Sequence, residues 1–173
     1  QRVILFALPH TSIRIGALQE LLLPFLDFVA QRPSLHLILR FHPFDFSIIK
    51  AQQSLWDNYP NVSQDNDSDV YKLLSVVDIC LVQESTIGAE ALAFGVSLIE
   101  VNFDPTITTR TQYYDAKVAE RITSPGDIPI IDQLLCGERP HSDKEAIANY
   151  VNQMFFQLDG LACQRVISNL SAM

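Results

Sequence analysis

The chain has 173 residues, 48% of them hydrophobic and 18% charged, and its 12 Lys and Arg against 20 Asp and Glu leave a formal net charge of −8. A chain of this size and composition buries one core without disulfides or a structural metal, which excludes a disordered chain and makes one domain the default. The acidic balance disfavours nonspecific binding to nucleic acid or an anionic membrane, so an anionic small ligand needs a local, oriented set of donors.

The opening Gln1-Arg2-Val3-Ile4-Leu5-Phe6 lacks an initiator Met and reads as a core strand rather than a signal peptide, as expected of a single domain, 1–173, cut from a longer protein. The first strand is Val3 to Leu8. After the polar turn Pro9-His10-Thr11-Ser12, helical spacing runs from about Ile13 to Gln31, and Pro24 should kink or divide it. Leu35 to Phe41 is the second strand. His42-Pro43-Phe44-Asp45 precedes a weakly patterned helix from about Phe46 to Asn58 and a short strand near Asn61 to Ser63. Asp67-Ser68-Asp69 offers side-chain oxygens to start a helix over Val70 to Val76. Asp78 to Val82 is a further strand. Glu84-Ser85-Thr86 then turns into a helix, Ile87 to Phe94, which Gly95 ends before the strand Ser97 to Val101. The stretch from Asp104 to Ala119 has no strong period and reads as a flap anchored by Tyr113 and Tyr114. A short strand at Glu120 to Thr123 and helices at about Ile128 to Cys136, Ser142 to Leu158 and Leu161 to Leu170 complete the chain. The alternation predicts a three-layer α/β/α, Rossmann-like domain around a central parallel sheet.

Apolar runs are broken by charge or proline before bilayer-spanning length, so no membrane span is expected. Cys80, Cys136 and Cys163 show no paired spacing, which argues against a zinc site or disulfide framework and fits reduced thiols in the cytoplasm. No metal or resident cofactor is called for. The Walker loop, the Gly-rich dinucleotide fingerprint, the HExxH pair and the nucleophile elbow are all missing from the sequence.

Ligands of open parallel sheets bind outside the strand carboxyl ends, so the polar residues that follow strands are weighed first. Ser85 and Thr86 bring hydroxyls to a helix start where the N–H groups of Ile87 and Gly88 would be free, an arrangement suited to phosphate. Gly88 would let a ligand approach the backbone. Plain N-capping, with Gly88 small for helix packing, is the other reading. Glu90 suits the two hydroxyls of a ribose or is a solvent-facing helical Glu, and Glu84 can be a rim charge without a ligand. His42, restrained by Pro43, either caps the next helix or balances phosphate charge and stabilises a leaving nucleoside phosphate, the one catalytic role assigned. His10 and Thr11 form a less specific pair after the first strand. Arg40 and Arg110 can reach phosphate or make structural salt bridges. His36 reads as packed within its strand, and His141 as a surface residue.

Three segments, Leu39-Arg40-Phe41-His42-Pro43, Gln83-Glu84-Ser85-Thr86-Ile87-Gly88-Ala89-Glu90-Ala91-Leu92-Ala93-Phe94-Gly95 and Leu158 to Val166, stand in an order that resembles GT-B-type transferases of bacterial surface polysaccharides. That group includes capsule-polysaccharide and CDP-glycerol glycerophosphotransferase-like enzymes. The resemblance implies the carboxy-terminal, nucleotide-binding half of a GT-B fold, with His42, Ser85 and Thr86 at the nucleotide phosphates and Glu90 at another nucleotide contact. It implies a UDP-, CDP- or CMP-linked sugar or polyol as donor, a glycan acceptor, and an absent amino-terminal half that supplies acceptor contacts and the general base. Location would be cytoplasmic, with peripheral attachment at the inner membrane face open to the full-length protein. Gln83-Glu84 departs from the Asp-bearing turn expected in the family. UDP-sugar 2-epimerases share the architecture, and a noncatalytic binding module of the same fold is the alternative from another class.

Overall fold

The structure, a computed structural model, describes residues 1–8, 15–42, 50, 52–83, 85–104 and 113–171. Its elements are β1 (Arg2–Ala7), α1 (Ile15–Ala30), β2 (Leu35–Arg40), β3 (Val62–Gln64), α2 (Val70–Leu74), β4 (Ile79–Val82), α3 (Ile87–Ala93), β5 (Ser97–Val101), β6 (Glu120–Ile122), α4 (Ile130–Leu135), α5 (Lys144–Phe155) and α6 (Ala162–Ser171). The six strands form one sheet in the order β3-β2-β1-β4-β5-β6, and every neighbouring pair is parallel. All strand carboxyl ends therefore share one rim. The predicted strands and the three-layer, Rossmann-like class are present; of the helix expected over 46–58, residues 46–49 and 51 lie outside the described residues, and the part from 52 to 58 is not a continuous α-helix but a short 3-10 helix at Gln53–Leu55 followed by turn.

Burial explains the order. β4 is buried at all of its residues and β1 at its last four, the pattern of central strands covered on both faces. On one face Ile4, Phe6, Leu37, Leu81 and Ile99 pack against Leu18, Leu22, Phe25 and Leu26 of α1 and Ile131 and Leu134 of α4. On the other, Leu5, Ala7, Cys80, Val82 and Leu98 meet Leu73 and Leu74 of α2 and Ala89, Ala91 and Leu92 of α3, with Ile147 and Val151 of α5 outside them. Helix α1 runs unbroken through Pro24. The missing proline N–H is tolerated because Leu21, Leu22, Phe25 and Leu26, on either side of it, are all buried in the same core.

Local signals set the ends of the short helices. Asp69 caps α2, its Oδ1 accepting from the N–H groups of Tyr71 at 2.8 Å and Lys72 at 3.2 Å. Helix α3 closes at Gly95, whose φ of +75° lets its N–H donate to Leu92 O and that of Val96 to Ala91 O, both at 3.0 Å. Among the described residues no helix is long and apolar enough to cross a membrane.

Leu81 is 0% exposed at the centre of the sheet. Leu81→Ala should lower unfolding stability by about 2–5 kcal/mol, seen as a lower urea midpoint at unchanged slope. A loss below about 1 kcal/mol would show that the sheet centre is not where this fold is held.

Candidate functional site

Strand order reverses at β1, which has β2 on one side and β4 on the other. The helix after β1 covers one face and the helix after β4 the opposite face, so the two connections part above the rim and leave a crevice. A cleft of about 260 Å³ lies there. It is lined by Ala7 and Leu8 from β1, Arg40, Phe41 and His42 from β2, Asn66 after β3, Val70 of α2, and Ser85, Thr86, Ile87 and Glu90 at the start of α3. His42, Arg40, Ser85, Thr86, Ile87 and Glu90, chosen from separate parts of the sequence, therefore meet in one place. His10, Thr11, Glu84 and Arg110 lie outside the described residues. A larger cavity of about 570 Å³ opens at the other end of the sheet, beside the strand amino ends at Arg2, Asp78 and Ser97. There Arg2 is already paired with Asp78 at 2.7 Å, so it offers less to an incoming anion.

The charged groups of the cleft are linked through Arg40, whose Nη1 donates to Ser68 O at 3.1 Å. Burial pushes the Glu90 carboxyl above its ordinary pKa, and the Arg40 charge offsets only part of that. Asp65 goes the other way, because hydrogen bonds from Ser68 and Asp67, aided by Arg40, outweigh its burial. Asn66 ties the wall together: its Oδ1 accepts from Phe41 N–H at 3.0 Å, while its buried Nδ2 has no partner among the described residues. Among those residues, too, no group of three or more His, Cys, Asp or Glu is placed to hold a metal.

The start of α3 differs from the expected open donor site. Ile87 N–H donates to Ser85 Oγ at 3.3 Å and Gly88 N–H to Ser85 O at 3.2 Å, so the two donors expected to be free are engaged within a tight first turn. Thr86 is exposed and its side chain caps no helix N–H. The two N–H groups expected to meet a ligand are thus already used, as in the N-capping alternative, with the Ser85 and Thr86 residues still at the cleft.

Gly88 is also used differently. It is buried and absent from the cleft wall, and a Cβ on it would lie 2.8 Å from the Tyr113 ring. The glycine makes room for a tyrosine, not for a ligand. Tyr113 is 1% exposed; its hydroxyl donates to Ser85 O at 2.9 Å and accepts from Ala89 N–H at 3.1 Å, and burial pushes its pKa up. The next residue, Tyr114, stacks on His141 with ring centroids 4.0 Å apart and lies 4.2 Å from the Arg121 guanidinium. His141 is thus half-buried rather than a surface residue, and its Nε2 is 2.7 Å from Tyr114 O. His36 is packed as expected, sharing a 2.8 Å hydrogen bond with Ser63.

No protein-family model and no curated protein sequence matches the chain. Solved structures do match it in fold. The S. aureus MnaA–UDP co-structure aligns over 90% of this chain and 45% of that one, at 14% identity and a TM-score of 0.62. UDP-GlcNAc 2-epimerase from Neisseria meningitidis bound to UDP-GlcNAc aligns over 91% and 45%, at 17% identity and a TM-score of 0.63. The glycosyltransferase SnogD from Streptomyces nogalater aligns over 89% and 39%, at 18% identity and a TM-score of 0.60. The chain has the fold of one GT-B half. It spans less than half the length of each of these proteins, and at such identities the likeness carries architecture alone.

Two outcomes follow for the site. Gly88→Ala should cost about 1–3 kcal/mol in thermal or urea unfolding, because the new methyl meets an immobile, hydrogen-bonded ring; wild-type stability would show that the ring can move aside. Glu90 holds its proton to higher pH folded than unfolded. Its contribution is therefore most favourable below the ordinary glutamate pKa and is lost as pH rises through the raised folded value. Glu90→Gln should gain stability relative to wild type as urea titrations move from about pH 4 to pH 7, and a constant difference would contradict the shift.

Proposed function

We propose that this chain is the nucleotide-binding half of a nucleotide-sugar-dependent enzyme of GT-B architecture, with the donor nucleotide held in the cleft between β1, β2 and α3. The observation that carries the reading is the meeting of His42, Arg40, Ser85, Thr86 and Glu90 at the strand-order reversal. The finer reading is transfer of a sugar or phosphorylated polyol from a UDP-, CDP- or CMP-linked donor to a bacterial surface glycan. In it the Ser85 and Thr86 hydroxyls and the Arg40 and His42 side chains face the phosphates, and Glu90 takes the ribose hydroxyls. His42 balances charge on the leaving nucleotide, while the general base and acceptor contacts come from a partner half. The orphaned Asn66 amide favours a ligand that brings an acceptor oxygen. An acidic chain can hold such a ligand because carboxylates more than about 8–10 Å away are screened by salt, leaving local donors in control.

Epimerisation is the second reading, favoured by fold neighbours solved with UDP and with UDP-GlcNAc. The longer protein separates the two: an epimerase turns over its sugar nucleotide with no acceptor present, whereas a transferase requires one.

The site itself is tested by calorimetric titration with UDP, CDP and CMP. Replacing Ser85 and Thr86 together by Ala should weaken binding about five- to 150-fold, from two hydrogen bonds worth roughly 0.5–1.5 kcal/mol each. Unchanged affinity for whichever nucleotide the parent binds would reduce the pair to a structural turn.

A further inference from the structure

We infer that Tyr113 is a positioning residue of the nucleotide site: its buried hydroxyl sets the turn that presents Ser85 and Thr86, while its ring supplies the surface on which that turn rests. This rests on the nucleotide reading above. Tyr113 is absent from the cleft lining and acts from the far side of the turn. Its hydroxyl is bonded on both sides, donating to Ser85 O at 2.9 Å and accepting from Ala89 N–H at 3.1 Å. One oxygen thus spans the first turn of α3 from its entrance to its third residue. Because Ser85 O also accepts the Gly88 N–H at 3.2 Å, rotating the Ser85 peptide would break two bonds at once. The peptide orientation in turn directs the Ser85 side chain and the Thr86 that follows.

The ring plays a separate part. Its edge lies so close beneath Gly88 that a Cβ there would sit 2.8 Å from two ring carbons, which leaves the turn no space to sink toward the sheet. Tyr113 itself has little freedom. It is 1% exposed, lies 5.7 Å from the Tyr150 ring of α5, and is followed by Tyr114, whose N–H donates to the fully buried Glu100 at 3.4 Å. Glu100 is in turn held by Arg121 at 2.8 Å. The reference for the binding turn is therefore the β5–β6 edge, a different part of the sheet from the strand that leads into it.

Tyr113→Phe removes the hydroxyl and keeps the ring. Measured by calorimetry with UDP and CDP, at a temperature where melting curves show parent and variant fully folded, its nucleotide affinity should fall about tenfold. A role confined to stability would lower the melting temperature and leave that affinity unchanged, which would overturn the proposal. Combined with Ser85→Ala, the two losses should be strongly less than multiplicative, since both act through one turn; a product of the single effects would also overturn it. Should the Phe variant fail to fold, a UDP titration of the wild-type chain followed by NMR decides the matter. The Ala89 amide and the Tyr113 ring signals should shift with the cleft residues, and signals that stay fixed while cleft residues shift contradict coupling. A parent that binds none of the nucleotides defeats the functional reading itself, whereas a binding parent with an unaffected Phe variant defeats only the role of Tyr113.

Discussion

Everything at the candidate site follows from the reversal of strand order at β1. A parallel sheet needs crossover helices, and once β2 and β4 flank the same strand the helices after β1 and β4 must lie on opposite faces. The rim then opens where those two connections separate. The cleft receives side chains that are remote in sequence only because the strands that carry them are neighbours there, with Ala7 paired to Arg40 on one side and to Val82 on the other.

The second constraint is the way polar groups are satisfied beside that opening. The β5–β6 edge buries two carboxylates, and each has specific partners. Glu100 is matched by Arg121 and the Tyr114 N–H, and Glu120 by the N–H groups of His141 and Ser142 at 2.8 and 3.2 Å. Such groups are costly to leave unpaired, so Glu100 fixes the segment that begins at Tyr113 against the sheet, while Glu120 fixes the turn at His141, on which Tyr114 stacks. That segment reaches α3 through Tyr113, by its hydroxyl and by the ring beneath Gly88. Support for the site thus comes from the right-hand half of the strand order, and its ligand-facing groups come from the left-hand half and from α3.

Much of this was legible in the sequence because the signals were local. Continuous apolar runs such as Ile79 to Val82, a cap such as Asp69 and a helix stop such as Gly95 act over a few residues, and the rule that ligands bind at strand carboxyl ends drew His42, Ser85 and Thr86 to one rim. What escaped was nonlocal. The reading of Ile87 and Gly88 as free donors assumed an open helix start, but the turn tightens and closes on Ser85. For Gly88 the packing alternative holds rather than ligand approach, but nothing in its spacing points to the partner, Tyr113, 25 residues later, whose ring fills the space beneath it. His141 was placed at the surface for the same reason: its partner, Tyr114, is distant in sequence and adjacent only in the folded chain. Pro24 argued for a kink or a division of α1; the helix is not divided, because burial on both sides of the proline outweighs one missing hydrogen bond.

The central claim is that a nucleotide occupies the rim at the strand reversal. Its most direct test is a two-dimensional amide NMR titration of the chain with UDP, repeated with CDP and CMP. The account expects saturable shifts concentrated at residues 7–8, 40–42, 66–70 and 85–90, with the amino-terminal strand ends around Arg2, Asp78 and Ser97 unmoved. Shifts centred on that opposite end of the sheet, or no saturable shift with any of the three nucleotides, would contradict it.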